Sequence, residues 1–341
     1  MRQIKKWHFG ITCILLFLCL SCSPKADHPV FQGKYLGQDP PGIEGQLFAP
    51  GMMSTGLDEL NAVFFPEGKE VIYSVHIGDM KWALLIMKEV DGQWTEPEVA
   101  SFSGKYGGVD PFVSYDGNRV YFCSNRPLEK GEAAREDYDI WYVDRTESGW
   151  SDPICMGPPI NTDDHEFYPS LTKDGTIYFQ SHRPGGIGAS DIYKAELENG
   201  EYIEAKILPE PINSPGFEGD AFIAPDQSYI IVSTYREGKN VGRAADLYIS
   251  FQRDNGSWSD LLNMGERVNS IGVENCQILS PCGKYLFYTS RRYKDEKSEQ
   301  VLTYDDIWRF WSNPQNGYGD AYWVDAKIID DLKNKLSKDG Y

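Results

Sequence analysis

One phrase recurs five times along this chain and fixes what it can fold into. Each copy reads as an apolar strand, a tight turn of the Ser/Pro-x-Asp-Gly kind, and a second strand that closes on Ser-x-Arg or a near relative. The copies run Phe64-Phe65-Pro66-Glu67-Gly68 to Tyr73-Ser74-Val75-His76, Ser114-Tyr115-Asp116-Gly117 to Phe122-Cys123-Ser124-Asn125-Arg126, and Thr172-Lys173-Asp174-Gly175 to Phe179-Gln180-Ser181-His182-Arg183. Two more run Ala224-Pro225-Asp226-Gln227 to Val232-Ser233-Thr234-Tyr235-Arg236 and Ser280-Pro281-Cys282-Gly283 to Tyr288-Thr289-Ser290-Arg291-Arg292. Positions 73, 122, 179, 232 and 288 lie 49 to 57 residues apart. That period holds four short strands, which is the signature of a β-propeller or a similar array. No copy can bury both of its faces alone; stacked copies can, and closing the ring removes exposed sheet edges.

In the second copy the four strands, a to d, fall at about 110–114, 119–124, 139–144 and 150–156. Strand b alternates and is rich in Tyr, Phe, Ile and Val, as a half-buried strand should be. Strand c opens on Asp139-Ile140-Trp141, Asp191-Ile192-Tyr193, Asp246-Leu247-Tyr248 and Asp306-Ile307-Trp308. The c–d turn carries a glycine followed by an aromatic (Trp94, Trp150, Tyr202, Trp258), placed to pack between neighbouring blades. After strand d comes Ile160-Asn161-Thr162, Ile212-Asn213-Ser214 or Val268-Asn269-Ser270, echoed near the N-terminus by Leu47-Phe48-Ala49 to Ser54. That echo makes the N-terminal segment a closing strand for the last blade. Ala321-Tyr322-Trp323-Val324-Asp325 competes for the same place, or both add. The expected fold is an all-β propeller of five four-stranded blades, with six as the alternative. Residues 328–336 read as a short amphipathic C-terminal helix.

Residues 1–21 read as an export signal: Arg2, Lys5 and Lys6 precede an apolar run from Phe9 to Leu20, too short for a comfortable membrane span. The run ends Leu18-Cys19-Leu20-Ser21-Cys22, similar to a bacterial lipobox, which predicts cleavage before Cys22 and lipidation there. Residues 22–33 are then a flexible tether and 34–341 a single propeller domain. Removing residues 1–21 takes away three cations and no anions, so the net charge moves from −18 to −21. So acidic a surface repels phosphate backbones and anionic headgroups, which argues against a nucleic-acid partner and leaves the lipid as the only membrane contact. Cys22, Cys123, Cys155, Cys276 and Cys282 show no CxxC spacing, which argues against structural zinc. Cys123 and Cys276 fall on strands as small core residues.

These repeats resemble the WD40-like PD40 repeat, found in the propeller of the Tol-system periplasmic protein TolB and in many bacterial surface lipoproteins. The matched units span roughly residues 59–311. The flanking Tyr35-Leu36-Gly37, Pro40-Pro41-Gly42, Phe48-Ala49-Pro50-Gly51 and Tyr322-Trp323-Val324-Asp325-Ala326 look like a PD40 lipoprotein subgroup of Bacteroidota-type bacteria. The resemblance implies an exported outer-membrane lipoprotein, periplasmic or surface-facing. It names no ligand, because propellers host binding, lyase and hydrolase activities alike. The first copy departs most: Glu67 replaces the turn Asp, Ala83 replaces the strand-c Asp, and Arg126 has no counterpart. The fourth has Gln227 for Gly. TolB's separate N-terminal domain has no room ahead of the repeats, which weakens any transfer of its partners.

Strands alternate in direction, so the d–a connections and the long b–c loops share one face of the disc. Three polar groups recur there: an acid near the start of strand a (Glu59, Asp110, Glu166, Glu218, Glu274), a cation ending strand b (Arg126, Arg183, Arg236, Arg292), and the Asp opening strand c. Arg and Asp bracket one loop and are placed to pair across its base. The strand-a acids line the central channel, where a ring of carboxylates needs arginine, a cation or raised pKa values to relieve it. Asp163-Asp164-His165-Glu166 is the densest oxygen-rich cluster and would suit calcium, the one cofactor the sequence suggests, although it lacks EF-hand spacing. His165 and His182 fall on the same face of one repeat, and His76 ends strand b of the first. No GxSxG, HExxH, P-loop or dinucleotide fingerprint is present. The expectation is a non-enzymatic protein that binds a protein or glycan ligand on the long-loop face. The alternative is a carbohydrate-active lyase or hydrolase with carboxylates at the channel mouth.

Overall fold

The alternating strand b of every copy becomes the second strand of an antiparallel sheet, flanked by a inside and c outside. The structure, a computed structural model, describes residues 31–79, 81–294 and 301–338. Blade I has strands a Glu59–Phe64, b Glu70–His76 and c Trp82–Val90, with d in two pieces, Gln93–Trp94 and Glu98–Val99. Blade II has Val109–Val113, Arg119–Ser124 and Asp139–Thr146, with d again split into Gly149–Trp150 and Ile154–Cys155. Blade III has Glu166–Leu171, Ile177–Ser181, Asp191–Glu198 and Glu201–Ile207. Blade IV has Glu218–Ile223, Tyr229–Thr234, Asp246–Phe251 and Leu262–Asn263. Blade V has Glu274–Leu279, Tyr285–Ser290 and Asp320–Asp325, with Gln46–Leu47 as its fourth strand. The a strands touch in the order I to V, and strand a of blade I packs on blade V, so the ring is closed with five blades.

Closure uses both candidate segments, in different roles. Asp320–Asp325 is strand c and the N-terminal Gln46–Leu47 is strand d, with Gln46 opposite Trp323 and Leu47 opposite Tyr322. The expected strand-c opening at Asp306-Ile307-Trp308 is corrected: these residues lie in helix α1, Tyr304–Trp311. The same Asp-x-aromatic pattern recurs at Asp320-Ala321-Tyr322, and only that copy pairs with strand b, from Tyr285↔Asp325 to Ser290↔Asp320. The N-terminal segment then plugs the seam with aromatic rings. Tyr35 lies edge-on to Phe64 at 4.9 Å, and Phe48 sits 5.0 Å from both Phe287 and Trp323. The C-terminal helix is present as α2, Lys327–Lys338.

The aromatics after the c–d turns do bridge blades: Trp150 of blade II packs on Phe65 and Phe102, and Trp258 of blade IV joins Tyr178 and Ile192 of blade III. Cys123 and Cys276 are buried and free. Part of the expected tether is already structured, since Gln32 pairs with Gln93 and Trp94 N–H donates to the Phe31 carbonyl. The export signal and Cys22 lie outside the described residues. Among the described residues, no helix is long and apolar enough to cross a membrane.

Candidate functional site: the long-loop face

The phrase Asn-Ser/Thr-x-x-x-Glu shapes this face from the backbone up. Each d–a turn is clipped to strand c of the blade it leaves. Asn161 takes Ile140 N–H and donates to its carbonyl, both at 2.9 Å. Asn213 does the same to Ile192, and Asn269 to Leu247. The next residue then grips the acid four positions on. Thr162 N–H donates to Glu166 Oε2 at 2.9 Å and its hydroxyl to Oε1 at 2.7 Å; Ser214 holds Glu218, and Ser270 holds Glu274, in the same way. From strand b, Ser181, Thr234 and Ser290 add a further hydroxyl.

The arginines complete these nests. Arg183 reaches Glu166 at 3.4 Å, Arg236 reaches Glu218 at 2.6 Å and Arg292 reaches Glu274 at 3.5 Å, and each also donates to a carbonyl of the d–a turn. Glu166, Glu218 and Glu274 are fully buried. Burial pushes Glu166 and Glu274 up, against the pull of their hydroxyl donors and arginines. The expected Arg–Asp pairing across the loop base is therefore corrected. Strand register sets Glu166 opposite Ser181, two residues from Arg183, and makes the acid of strand a the nearer partner. The strand-c aspartates fold the loops instead. Asp191 accepts Ile187 and Gly188 N–H, Asp246 accepts Val241 N–H and the Asn263 amide, and Asp139 pairs with Arg135. Asp320 accepts Gln315 N–H at 2.6 Å, and burial pushes it up to about 7.

Blades I and II break this pattern in opposite ways. Glu59 is held by Thr55, but Ile77 stands where the arginine would be, and burial pushes the carboxyl up to about 8. In blade II, Gly108 stands where the glutamate would be. Arg126 donates to the Phe102 carbonyl at 2.7 Å and lies against Phe122 and Trp141; burial lowers it to about 10. Asp110 is not in register with the four glutamates but two residues further along strand a.

That further position forms a second ring on the innermost strands, four of its five residues buried. Asn61, Asp110, Tyr168, Asp220 and Cys276 all take left-handed φ between 49° and 62°, each at a bulge in strand a. Left-handed backbone is costly for non-glycine residues and persists only where surroundings over-determine it. Asp220 accepts Cys276 N–H at 3.2 Å, and Tyr168 donates to the Gln277 carbonyl at 2.7 Å. Burial pushes Asp110 and Asp220 up, and the charge of Asp220 raises Asp110 further. Sequence reasoning missed this ring because its five side chains share no chemistry; only their fixed offset from the acid could have revealed it.

The residues just before each acid and each arginine differ from blade to blade. At the blade I–V seam, Asp58 pairs with Arg291 at 3.0 Å and lies 3.9 Å from His76. In blade III, His165 stacks on Phe167 and meets His182 edge-on at 5.5 Å. Tyr138 N–H donates to His165 Nδ1, which leaves the proton of the neutral ring on Nε2. Burial lowers His182, with His165 adding to it and Asp164 opposing, which favours the neutral ring. Blade IV contributes Phe217 and Tyr235, each 47% exposed. Of these, the sequence singled out His76, His165 and His182; Asp58, Phe217 and Tyr235 were not foreseen. The structure thus brings the two histidines together, while each Glu–Arg pair stays within its own blade. In the cluster that suggested calcium, both Glu166 oxygens are taken by Thr162. Among the described residues, no three His, Cys, Asp or Glu side chains are grouped to hold a metal ion.

No protein-family model matches the sequence, and no curated protein is detectably similar to it. Solved structures share its architecture. A glycoside hydrolase aligns with TM-score 0.50 at 12% identity over 87% of this chain and 92% of its own. TolB from Acinetobacter baumannii aligns with TM-score 0.45 at 18% identity over 78% of this chain, which spans about half (54%) of that protein's length. A putative TolB from Agrobacterium tumefaciens gives 0.44 at 16% identity, covering 78% of this chain and 89% of its own. The chain is a five-bladed β-propeller in fold, and likeness at this identity speaks to fold alone.

Proposed function

We propose that this chain is a non-enzymatic, exported propeller, anchored to the outer membrane by a lipid at Cys22, that binds a protein or glycan through its long-loop face. The observation that carries this reading is the contrast between the two sets of side chains there. The repeated acids and arginines are consumed inside the blades, whereas the residues preceding them are different in every blade and carry half-buried imidazole and charged groups and half-exposed aromatic rings. Repeated groups serve the fold; blade-specific, exposed aromatics with polar tips serve recognition. The chain is expected to retain one class of ligand on a broad glycan and envelope-protein panel without altering it. Phe217→Ala with Tyr235→Ala should weaken that retention at least about tenfold while leaving the melting temperature unchanged. The competing reading, a carbohydrate-active lyase or hydrolase, is favoured by one group, Glu59, whose raised pKa suits a general acid. Glycan turnover abolished by Glu59→Gln or Glu166→Gln would replace the binding reading with that one.

A further inference from the structure

The aromatic after each c–d turn packs towards the preceding blade, and at one joint the fit is incomplete. Trp150 of blade II meets Phe65 of blade I, and Trp258 of blade IV joins Tyr178 and Ile192 of blade III. Blade III has the smaller Tyr202 at that position, fixed by a hydrogen bond from its hydroxyl to the Gly175 carbonyl at 2.9 Å. Between blades II and III lies a cavity of about 430 Å³, within the size range of small-molecule sites. Strand b of blade II supplies Arg119 and Tyr121, two residues apart and so on one face, and strand c supplies Tyr142, which stands opposite Tyr121 in register. The c–d hairpin of blade III closes the other side with Leu197, Glu201 and Tyr202.

We propose that this cavity binds one hexose residue of an uncharged glycan. The lining excludes the other classes of occupant. Arg119 is the only cation there, and it is already answered: its Nε and Nη2 donate to the two Asp144 carboxylate oxygens at 2.6 and 3.0 Å. A carboxylate or phosphate would find no free positive charge and would face Glu201. A cation would lie against the Arg119 guanidinium, which itself covers the Tyr142 ring at 3.9 Å. A wholly apolar ligand would strip water from Arg119, Glu201 and the tyrosine hydroxyls without replacing its hydrogen bonds. A sugar ring meets both needs. Its C–H groups pack on the apolar area of three tyrosine rings, and its hydroxyls, each donor and acceptor, match the phenol, guanidinium and carboxylate groups between those rings. The site goes beyond the long-loop reading and stands apart from it, since Phe217 and Tyr235 belong to blade IV.

Saturation-transfer NMR of the full chain with glucose, galactose, mannose and N-acetylglucosamine tests it. Glucuronate serves as the anionic probe and cyclohexanol as a similar ring without the rim of hydroxyls. At least one neutral sugar should receive saturation from the tyrosine rings, with Kd on the order of millimolar. Tyr202→Ala should weaken that binding at least about tenfold. Glu201→Gln, at an exposed position, should weaken it severalfold at an unchanged melting temperature. Phe217→Ala with Tyr235→Ala should leave it intact. Failure of all four neutral sugars to bind, or binding that survives both Glu201→Gln and Tyr202→Ala, overturns the proposal. Loss of binding in the Phe217→Ala, Tyr235→Ala variant moves the sugar to the long-loop face and overturns it as well. Glucuronate or cyclohexanol bound more tightly than every neutral sugar overturns the class of ligand.

Discussion

Blades III to V and blades I and II are built from one plan, yet only the first three complete it. In blades III, IV and V a buried glutamate meets its arginine, and the turn leading in is clipped by an asparagine. Blade I keeps the acid without the base and blade II the base without the acid. Their leading turns are clipped by Ser54 and Ser103, the latter through one hydrogen bond from Leu84 N–H. The difference teaches what the motif is for. Where the pair is whole, two buried charges cancel and tie strands a and b to the turn. Where it is split, the protein meets the cost of a lone charge by other means: Glu59 is protonated at neutral pH, and Arg126 rests on aromatic rings and a carbonyl.

The largest effect expected from breaking this comparison is at an intact pair. Arg236→Ala leaves Glu218 buried and uncompensated and should cost about 3–5 kcal/mol. Arg126→Ala, with no carboxylate to orphan, should cost only about 1–2 kcal/mol. Urea titrations of the two variants measure the gap, and equal losses would mean that the motif's charge pairing contributes nothing. The clips rank next. Asn213→Ala removes bonds to Ile192 N–H, the Ile192 carbonyl and the Leu208 carbonyl, for about 2–3 kcal/mol, against about 1 kcal/mol for Ser103→Ala.

The most diagnostic effect is confined to a window of pH. Glu59 has a folded pKa of about 8, above its unfolded value. Its contribution to stability is therefore present below about pH 4.5 and is lost as the pH rises through 8, at up to about 1.4 kcal/mol per unit. Glu59→Gln should flatten that part of the pH–stability curve and raise the melting temperature at pH 8. Ile77→Arg, at a half-exposed position, should do the same by about 1 kcal/mol by supplying the missing partner. Unaltered curves in both variants would show that Glu59 is ionised without penalty.

Much of this was legible in the sequence. The turns, the alternating b strands and the phrase after strand d repeat because every blade needs the same backbone, so the period, the closed ring and the N-terminal closing strand could be read directly. What misled was local likeness without spatial context. Asp306-Ile307-Trp308 and Asp320-Ala321-Tyr322 both fit a strand-c opening, and only pairing with Tyr285–Ser290 separates them. Asp110 was grouped with the glutamates because it is an acid near strand a, although an offset of two moves a side chain one step along the channel. The arginines were matched to the wrong acid because closeness along the chain favoured the loop-base Asp, whereas sheet register favours the Glu across the hairpin. The residues just before each acid and arginine were the least readable part, since residues that differ in every copy leave no repeat to find.

The ribbon that fastens the ring is made first and used last. Gly45 N–H donates to the Arg267 carbonyl, Phe48 N–H to the Ala321 carbonyl, and Asp325 N–H to the Gly42 carbonyl. These clasps join parts of the polypeptide more than 200 residues apart, so Gln46–Leu47 must wait for nearly the whole chain before it finds its neighbour. Contacts of such long sequence separation slow folding and tie the two ends into one cooperative unit. A tug on the leading end would load the bonds of Phe31 and Gln32 to blade I first and the seam between the first and last blades next.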